Sequence, residues 1–280
     1  MKPDRQTQAA KAQAFRAMHH GQKILVLPNA WDVASARILE EAGAAAIATT
    51  SAGVAFTLGY PDGQKISREE MIGAVARIVA KVKVPVTADI ESGYGERPED
   101  AARTAKAVIE AGAVGLNLED VARGSQEQLA GLSLQLEKIS AVRETGHSLG
   151  VPLVLNARTD VYLLEVGKAE SRYDEAIRRL SAFRDAGADC LFIPGLRDLE
   201  TIARLVRELA YPVNILAGPG SPSIPELQKI GVARGSLGSS PMRATLGLAR
   251  RIAQEVLTTG TYESLEGAPS HAEVNRMMSE

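Results

Sequence analysis

The chain lacks most features that mark secreted, membrane-spanning or nucleic-acid-binding proteins. Cys190 is the only cysteine among 280 residues, so no disulfide can form within the chain, and a reducing compartment, the cytoplasm, is expected. No apolar run approaches the roughly 20 residues that span a bilayer, and residues 1–20 lack the apolar stretch of a secretory signal. A formal net charge of −2 provides no basic field for nucleic acid or for an anionic membrane.

What the sequence does contain is a helix-then-strand unit that recurs along the chain. In four places a helical stretch closes on a glycine and an apolar strand follows, as in EEAGAAAIATT and RDAGADCLFIPG, and glycine is the usual residue just past a helix end. Three further strands enter through a proline, as in VPVTADI. The pattern predicts eight strands, at 23–29, 45–51, 85–91, 114–119, 152–158, 189–194, 212–217 and 232–237.

Strands that alternate with amphipathic helices indicate a parallel sheet, and eight such units predict a (β/α)₈ TIM barrel. A doubly wound open sheet is the alternative, but its G-x-G-x-x-G loop is missing after the first strand, where the chain reads PNAWD. We expect a single domain over 1–280, with a leading helix in 1–20, the barrel in 21–240, and the eighth helix and a tail in 241–280.

Acidic side chains are predicted where two neighbouring strands end, which is the end of a TIM barrel that carries function. Asp89 and Glu91 lie two residues apart in strand three, so they should point to one side, and Glu119 ends strand four. Clustered carboxylates repel one another unless they are protonated or bridged by a cation. Ligation by oxygen alone suits Mg²⁺ or Mn²⁺. For any one of these acids, a helix cap or a surface position is the simpler alternative.

Arg158 ends the next strand, opposite the predicted acidic cluster. Its guanidinium is suited to binding a substrate carboxylate through two hydrogen bonds; alternatively, it only neutralises Glu119 or Asp160. Residues 51–53, Ser-Ala-Gly, follow strand two and offer a hydroxyl and backbone N–H donors for an anion. Together these groups indicate electrophilic chemistry, in which a metal and an arginine stabilise a developing oxyanion.

Histidine and cysteine add little to this site. His19 and His20 precede the predicted barrel, His147 lies late in a predicted helix and His271 is in the tail. An imidazole base and a Ser–His nucleophile are therefore not expected. Cys190 lies in the apolar segment DCLFI, so we interpret it as a core residue and not as a nucleophile.

Five stretches in order along the chain resemble the isocitrate lyase/phosphoenolpyruvate mutase superfamily. They are PNAWDVASARILEEAG, TTSAGVAFTLGYPDG, ADIESGYG, GLNLED and NARTD. ADIESGYG resembles the superfamily's D-x-D-x-G-Y-G metal motif, with Glu91 in place of the second aspartate. The resemblance implies a (β/α)₈ barrel with a C-terminal helix swapped between subunits, and hence a homodimer or homotetramer. It also implies an Mg²⁺-dependent enzyme that acts on a small 2-oxo or 2-hydroxy carboxylic acid.

The resemblance also implies a role for each matching residue. Asp89 would bind the metal directly, and Glu91 and Glu119 would bind it directly or through water. Arg158, Asp62 and Glu119 would be the catalytic residues. The substrate would contact Ser51, Ala52, Gly53, Asp62, Arg158 and Arg243.

The departures from the superfamily pattern restrict the set of reactions that we expect. Its tricarboxylate lyases carry a K-[KR]-C-G-H loop after strand four, whereas the present loop has no cysteine, and no lysine occurs between Glu119 and Lys138. We expect cleavage of a C–C bond, by decarboxylation or a retro-aldol reaction, through an intermediate that resembles the enolate of pyruvate. A P–C bond mutase or hydrolase and a non-catalytic carboxylate-binding barrel are the alternatives. We expect the substrate to depend on the loop 121–132 and on the shape of the pocket.

Overall fold

A computed structural model describes residues 4–122 and 128–279 of the chain. Within these residues nine strands form one parallel sheet, in the order β1-β9-β8-β7-β6-β5-β4-β3-β2. The strands are β1 (Leu25–Leu27), β2 (Asn29–Ala30), β3 (Ile47–Thr49), β4 (Val86–Asp89), β5 (Gly115–Glu119), β6 (Val154–Arg158), β7 (Cys190–Phe192), β8 (Val213–Leu216) and β9 (Arg234–Ser236).

The sheet closes on itself through the first predicted strand, which is split at Pro28. On one side of the proline β1 pairs with β9, and on the other side β2 pairs with β3. The side-chain oxygen of Asn29 accepts hydrogen bonds from the backbone N–H groups of Leu237 and Gly238, at 2.8 and 2.9 Å. Since proline has no N–H to donate, it interrupts the ladder. The eight-stranded barrel predicted from the sequence is thereby confirmed.

Helices alternate with the strands around the outside of the barrel. Asp32, Ser67 and Asp198 accept the hydrogen bonds of helix caps. The helices are α1 (Arg5–Met18), α2 (Val33–Glu41), α3 (Ser51–Thr57), α4 (Arg68–Val79), α5 (Pro98–Glu110), α6 (Leu132–Ser148), α7 (Arg172–Asp185), α8 (Leu199–Leu209), α9 (Ile224–Lys229), α10 (Ser240–Thr258) and α11 (His271–Ser279).

Helix α1 lies across the amino-terminal ends of the strands. Arg16 bonds the carbonyl of Pro152 just before β6 and pairs with Asp189 just before β7. Phe15 is fully buried, and a Cβ atom on Gly115, the first residue of β5, would lie 2.9 Å from its ring. Glycine at 115 therefore lets the helix approach closely. The opposite end of the barrel, where the strands finish, is left for the predicted site.

The long helix α10 buries little of its surface. Met242 is its only buried residue, and Leu246, Leu248, Val256 and Leu257 are exposed, Leu257 by 84%. The following helix, α11, instead folds back on α2, where Arg37 donates a hydrogen bond to the carbonyl of Met277. None of the described helices has the length and apolar character that crossing a bilayer requires.

Candidate active site at the carboxyl ends of the strands

Asp89 ends β4 with its two carboxylate oxygens in different surroundings. Oδ2 accepts hydrogen bonds from the backbone N–H and the hydroxyl of Ser51, at 3.1 and 2.8 Å. Oδ1 is buried and has no hydrogen-bond partner. The N–H of Asp89 donates to the hydroxyl of Thr49. One oxygen is therefore held in place while the other keeps both lone pairs available for a ligand.

Residues 51–53, which follow the second predicted strand, form the first turn of helix α3. Thr50 caps this helix, and a Cβ atom on Gly53 would lie 2.6 Å from the Thr50 methyl group and 2.8 Å from the Trp31 Cβ. Both donors of Ser51 are directed to Asp89, so the serine orients this carboxylate. Substrate binding by Ser51, Ala52 and Gly53 stays a prediction.

Glu91 does not share a strand with Asp89, and the expected alternation of side chains is wrong at this point. β4 ends at Asp89, and Glu91 has a left-handed backbone with φ of 51°. A non-glycine residue in this region costs about 1–2 kcal/mol. Glu91 is nevertheless buried, and its carbonyl accepts a hydrogen bond from the N–H of Glu119 at 2.9 Å. A turn, and not a pleated strand, brings Glu91 to the site.

Glu119 and Arg158 lie side by side because β5 and β6 pair them in register. Arg158 Nη1 lies 3.0 Å from Glu119 Oε2. The Nε and Nη2 of Arg158 donate to the two oxygens of Asp160, at 2.6 and 2.8 Å. On its other side the guanidinium lies 5.6 Å from the ring centroid of Phe192. The structure thus pairs Arg158 with both Glu119 and Asp160, and substrate binding by Arg158 stays a prediction.

Burial and neighbouring charges raise the pKa values of both Glu119 and Arg158. Burial is the largest effect on Glu119 and, with Asp160 and Asp89, raises its pKa to about 8, although Arg158 opposes the shift. Burial disfavours the charge on Arg158, but Glu119 and Asp160 more than offset it and raise the pKa of the guanidinium. The acids at this end of the barrel are thus close enough to shift one another's proton affinity.

The other two predicted site residues lie in more open positions. Asp62 is exposed, and its side chain accepts a hydrogen bond from the N–H of Gly63. Arg243 is also exposed, in the first turn of α10, where it donates to the hydroxyl of Ser240 at 3.1 Å. The roles predicted for Asp62 and Arg243 remain predictions. The centre of the predicted loop 121–132, residues 123–127, lies outside the described residues.

The arrangement fits a magnesium ion held by few protein ligands. Among residues 4–122 and 128–279, no group of three or more His, Cys, Asp or Glu side chains is arranged to bind a metal ion by itself. Mg²⁺ commonly takes only one or two carboxylates and keeps several waters. The buried Asp89 Oδ1, which has no hydrogen-bond partner, has the charge and hardness that such an ion prefers.

Two residues that the sequence analysis missed also reach this end of the barrel. The hydroxyl of Tyr94 is buried without a hydrogen-bond partner, and burial, followed by Glu91 and Asp89, raises its pKa well above the usual range. Lys138 is buried on α6 and donates to two carbonyls of the chain around Tyr94. A signal for Lys138 existed, because it falls in the same helical stripe as Gln135, Ile139 and Val142, where an apolar residue is expected.

Comparison with known proteins identifies the family. The model of the phosphoenolpyruvate phosphomutase family matches residues 15–257. The chain belongs to this family. The predicted membership of the isocitrate lyase/phosphoenolpyruvate mutase superfamily of enzymes is thus confirmed.

Individual relatives cover nearly the whole chain. An uncharacterised protein of Mycobacterium tuberculosis is 37% identical over 243 residues, which is 87% of this chain and 88% of the relative. A crystal structure from Burkholderia cenocepacia J2315, described provisionally as a lyase/mutase, is 38% identical with a TM-score of 0.91 and covers 98% of this chain and 97% of its own. Oxaloacetate acetylhydrolase in complex with its product oxalate is 26% identical with a TM-score of 0.86, covering 100% of this chain and 96% of its own.

Proposed function

We propose that the protein is an Mg²⁺-dependent lyase that cleaves a C–C bond of a small 2-oxo or 2-hydroxy carboxylic acid. The observation that carries the proposal is Asp89, a buried carboxylate with one oxygen oriented by Ser51 and the other without a partner. It lies at the same end of the barrel as the Glu119–Arg158 pair. Bound Mg²⁺ would supply a Lewis acid that stabilises negative charge on a substrate oxygen.

In this proposal Asp89 holds the ion, and Glu91 and Glu119 contribute through water or directly. Mn²⁺ has the same preference for oxygen ligands and is the alternative ion. The hydrogen bonds from Ser51 prevent Asp89 from rotating, so its free oxygen is preorganised. Asp62 and Arg243 lie at exposed positions, from which they would contact the substrate as it enters.

Arg158 would bind the substrate carboxylate without leaving its own acidic partners. A guanidinium has five N–H donors, and three nitrogens of Arg158 make one described contact each, two with Asp160 and one with Glu119. Nη1 and Nη2 therefore each keep one further N–H. These contacts fix the plane of the guanidinium, so that two donors point in a defined direction.

The proposed substrate class is supported by the site and by one of the similar enzymes, oxaloacetate acetylhydrolase. A four-carbon 2-oxo diacid such as oxaloacetate would bind the metal through one end and Arg158 through a carboxylate. Oxaloacetate acetylhydrolase, which matches the chain over its full length, acts on such an acid. In a decarboxylation or a retro-aldol cleavage the electrons of the broken C–C bond enter an enolate, whose oxygen the site would stabilise.

P–C bond chemistry receives less support from the residues. No lysine occurs in the sequence between Glu119 and Lys138. Lys138 itself is buried, and its ammonium group donates to the carbonyls of Ser92 and Gly95. This lysine is therefore engaged with the backbone and is not available to a phosphonate.

The exposed apolar side chains of α10 support a homodimer or homotetramer. In a superfamily whose last helix is swapped between subunits, Leu246, Leu248, Val256 and Leu257 would pack on a second copy of the chain. Burial of apolar surface of this kind is the main driving force of stable homo-oligomers.

A substrate panel with Mg²⁺, followed by NMR, tests the proposed reaction. The panel contains oxaloacetate, related 2-oxo and 2-hydroxy diacids, and phosphonopyruvate, and a protein-free sample with the same Mg²⁺ corrects for spontaneous decarboxylation. Formation of pyruvate, or of oxalate and acetate, would support C–C cleavage and identify its type. A change only in the phosphorus spectrum of phosphonopyruvate would support P–C chemistry. Tight binding without turnover of any acid would contradict the proposal and favour a binding protein.

A further inference from the structure

The turn at residues 91–95, which carries Glu91 and Tyr94, has an unfavourable backbone. Glu91 and Tyr94 have φ values of 51° and 57°, and Gly93 between them has 98°. Left-handed conformations at non-glycine residues persist only where the surroundings enforce them. The turn therefore depends on contacts with other parts of the chain.

Side chains and backbone from four other parts of the chain hold this turn. The carbonyl of Glu91 accepts from the N–H of Glu119 at 2.9 Å, and that of Gly93 accepts from the hydroxyl of Thr104 at 2.8 Å. The Gln64 amide donates to the hydroxyl of Ser92 at 2.5 Å. Lys138 makes two further contacts, at 3.1 Å to the carbonyl of Ser92 and 2.9 Å to that of Gly95. Among the described contacts of the turn, Lys138 is the charged side-chain donor, and it joins two parts of the turn.

Lys138 occupies a position where a lysine is costly. Its side chain is 3% exposed on the buried face of α6. Burial lowers the pKa of Lys138, and the negative charges of Asp100 and Glu96 oppose the shift. An apolar residue would fit this helical stripe at lower cost. The presence of a lysine at this buried position is explained by the hydrogen bonds of its ammonium group to the backbone of the turn.

We propose that Lys138 is a positioning residue of the metal site, which holds the 91–95 turn so that Glu91 and Tyr94 face Asp89. The inference rests on the proposed function, because it assigns the turn to the metal site. Charge-assisted hydrogen bonds are stronger than neutral ones and fix geometry more firmly. Without them the turn would relax toward ordinary backbone angles, and Glu91 would leave the site.

The test compares Lys138→Met with Lys138→Arg and with a matched control, Lys106→Met, which removes an exposed lysine from the adjacent helix α5. Two quantities are measured on each purified full-length protein. Amide hydrogen exchange of the peptide that contains the 91–95 turn, without metal, reports the order of the turn. The dissociation constant of Mn²⁺, from the electron paramagnetic resonance signal of free Mn²⁺, reports the site.

For Lys138→Met we expect exchange in the turn to accelerate about tenfold or more. We expect Mn²⁺ to bind about 10- to 100-fold more weakly, as for other residues that orient metal ligands. Lys138→Arg should keep much of the slow amide exchange and of the Mn²⁺ affinity, since a guanidinium can also donate to two carbonyls. Lys106→Met should behave as wild type in both measurements.

Three results would overturn the inference, and each has a different meaning. Faster exchange with unchanged Mn²⁺ affinity would make Lys138 a structural residue only. Unchanged exchange would show that the turn does not need the lysine. If Lys138→Met exchanges faster but the wild-type protein itself binds no Mn²⁺, the proposed metal site and the proposed function are both wrong. The contact of Lys138 with the turn would then still be established.

Discussion

The buried ion pairs of Arg158 provide a quantitative test of the site. Replacing Arg158 with methionine keeps most of the side-chain volume but removes the counter-charge of the buried Asp160 and one ionic partner of the buried Glu119. Their side chains are only 5% and 2% exposed. Removing one partner of such a group costs about 3–5 kcal/mol. Most of this loss should come from Asp160, which accepts two of the three contacts.

Urea unfolding at pH 7 in EDTA, followed by circular dichroism, measures this loss. Arg178→Met is the matched control, because Arg178 also donates to both oxygens of a glutamate, Glu175, at 2.8 and 2.7 Å, but on the surface. An exposed pair contributes about 0–1 kcal/mol. The double variant Arg158→Met/Asp160→Asn should recover part of the stability lost by Arg158→Met alone. If Arg158→Met destabilises the protein no more than Arg178→Met does, the account of this site is wrong.

Three further predictions concern pH, metal orientation and assembly. Burial lowers the pKa of His19 from 6.5 to about 4, so between these pH values the unfolded chain binds a proton that the folded chain does not. The free energy of unfolding should therefore fall as the pH drops from 6.5 to 4, by up to about 3 kcal/mol. Urea titrations should show a smaller fall for His19→Gln than for wild type. Ser51→Ala removes the 2.8 Å hydrogen bond to Asp89 and should weaken Mn²⁺ binding about tenfold in titrations; unchanged affinity would contradict the orienting role of Ser51. Leu257→Glu should lower the molar mass seen by sedimentation, and a monomeric wild type would refute the proposed assembly.

Much of the fold was predictable because glycine and proline lie where helices end and where strands begin. The repeated helix, glycine and strand pattern predicted the eight-stranded barrel. The split of the first strand at Pro28 was not predicted, because it depends on which two strands the segment joins when the barrel closes. That closure is a property of the whole sheet and not of the local sequence.

The site was predictable by position but not by geometry. Glu91 was expected on a strand beside Asp89, but a left-handed residue begins the turn there, and no local signal distinguishes this from one more pleated residue. Arg158 was expected near the acids, and the register of β5 and β6 explains its contact with Glu119. Lys138 lies 46 positions from the Ser92 carbonyl it bonds, and only the packing of α6 brings them together.

The dependence of C–C cleavage on Mg²⁺ and on Asp89 tests the central claim most directly. The initial rate with the best acid from the panel is measured against Mg²⁺ concentration for wild type and Asp89→Ala, with protein-free blanks at every concentration. We expect a saturable dependence for wild type, no activity in EDTA, and a loss of about a thousandfold or more in Asp89→Ala, since removal of a metal that stabilises an oxyanion costs several kcal/mol. Equal rates for the two proteins, or full activity in EDTA, would contradict the account.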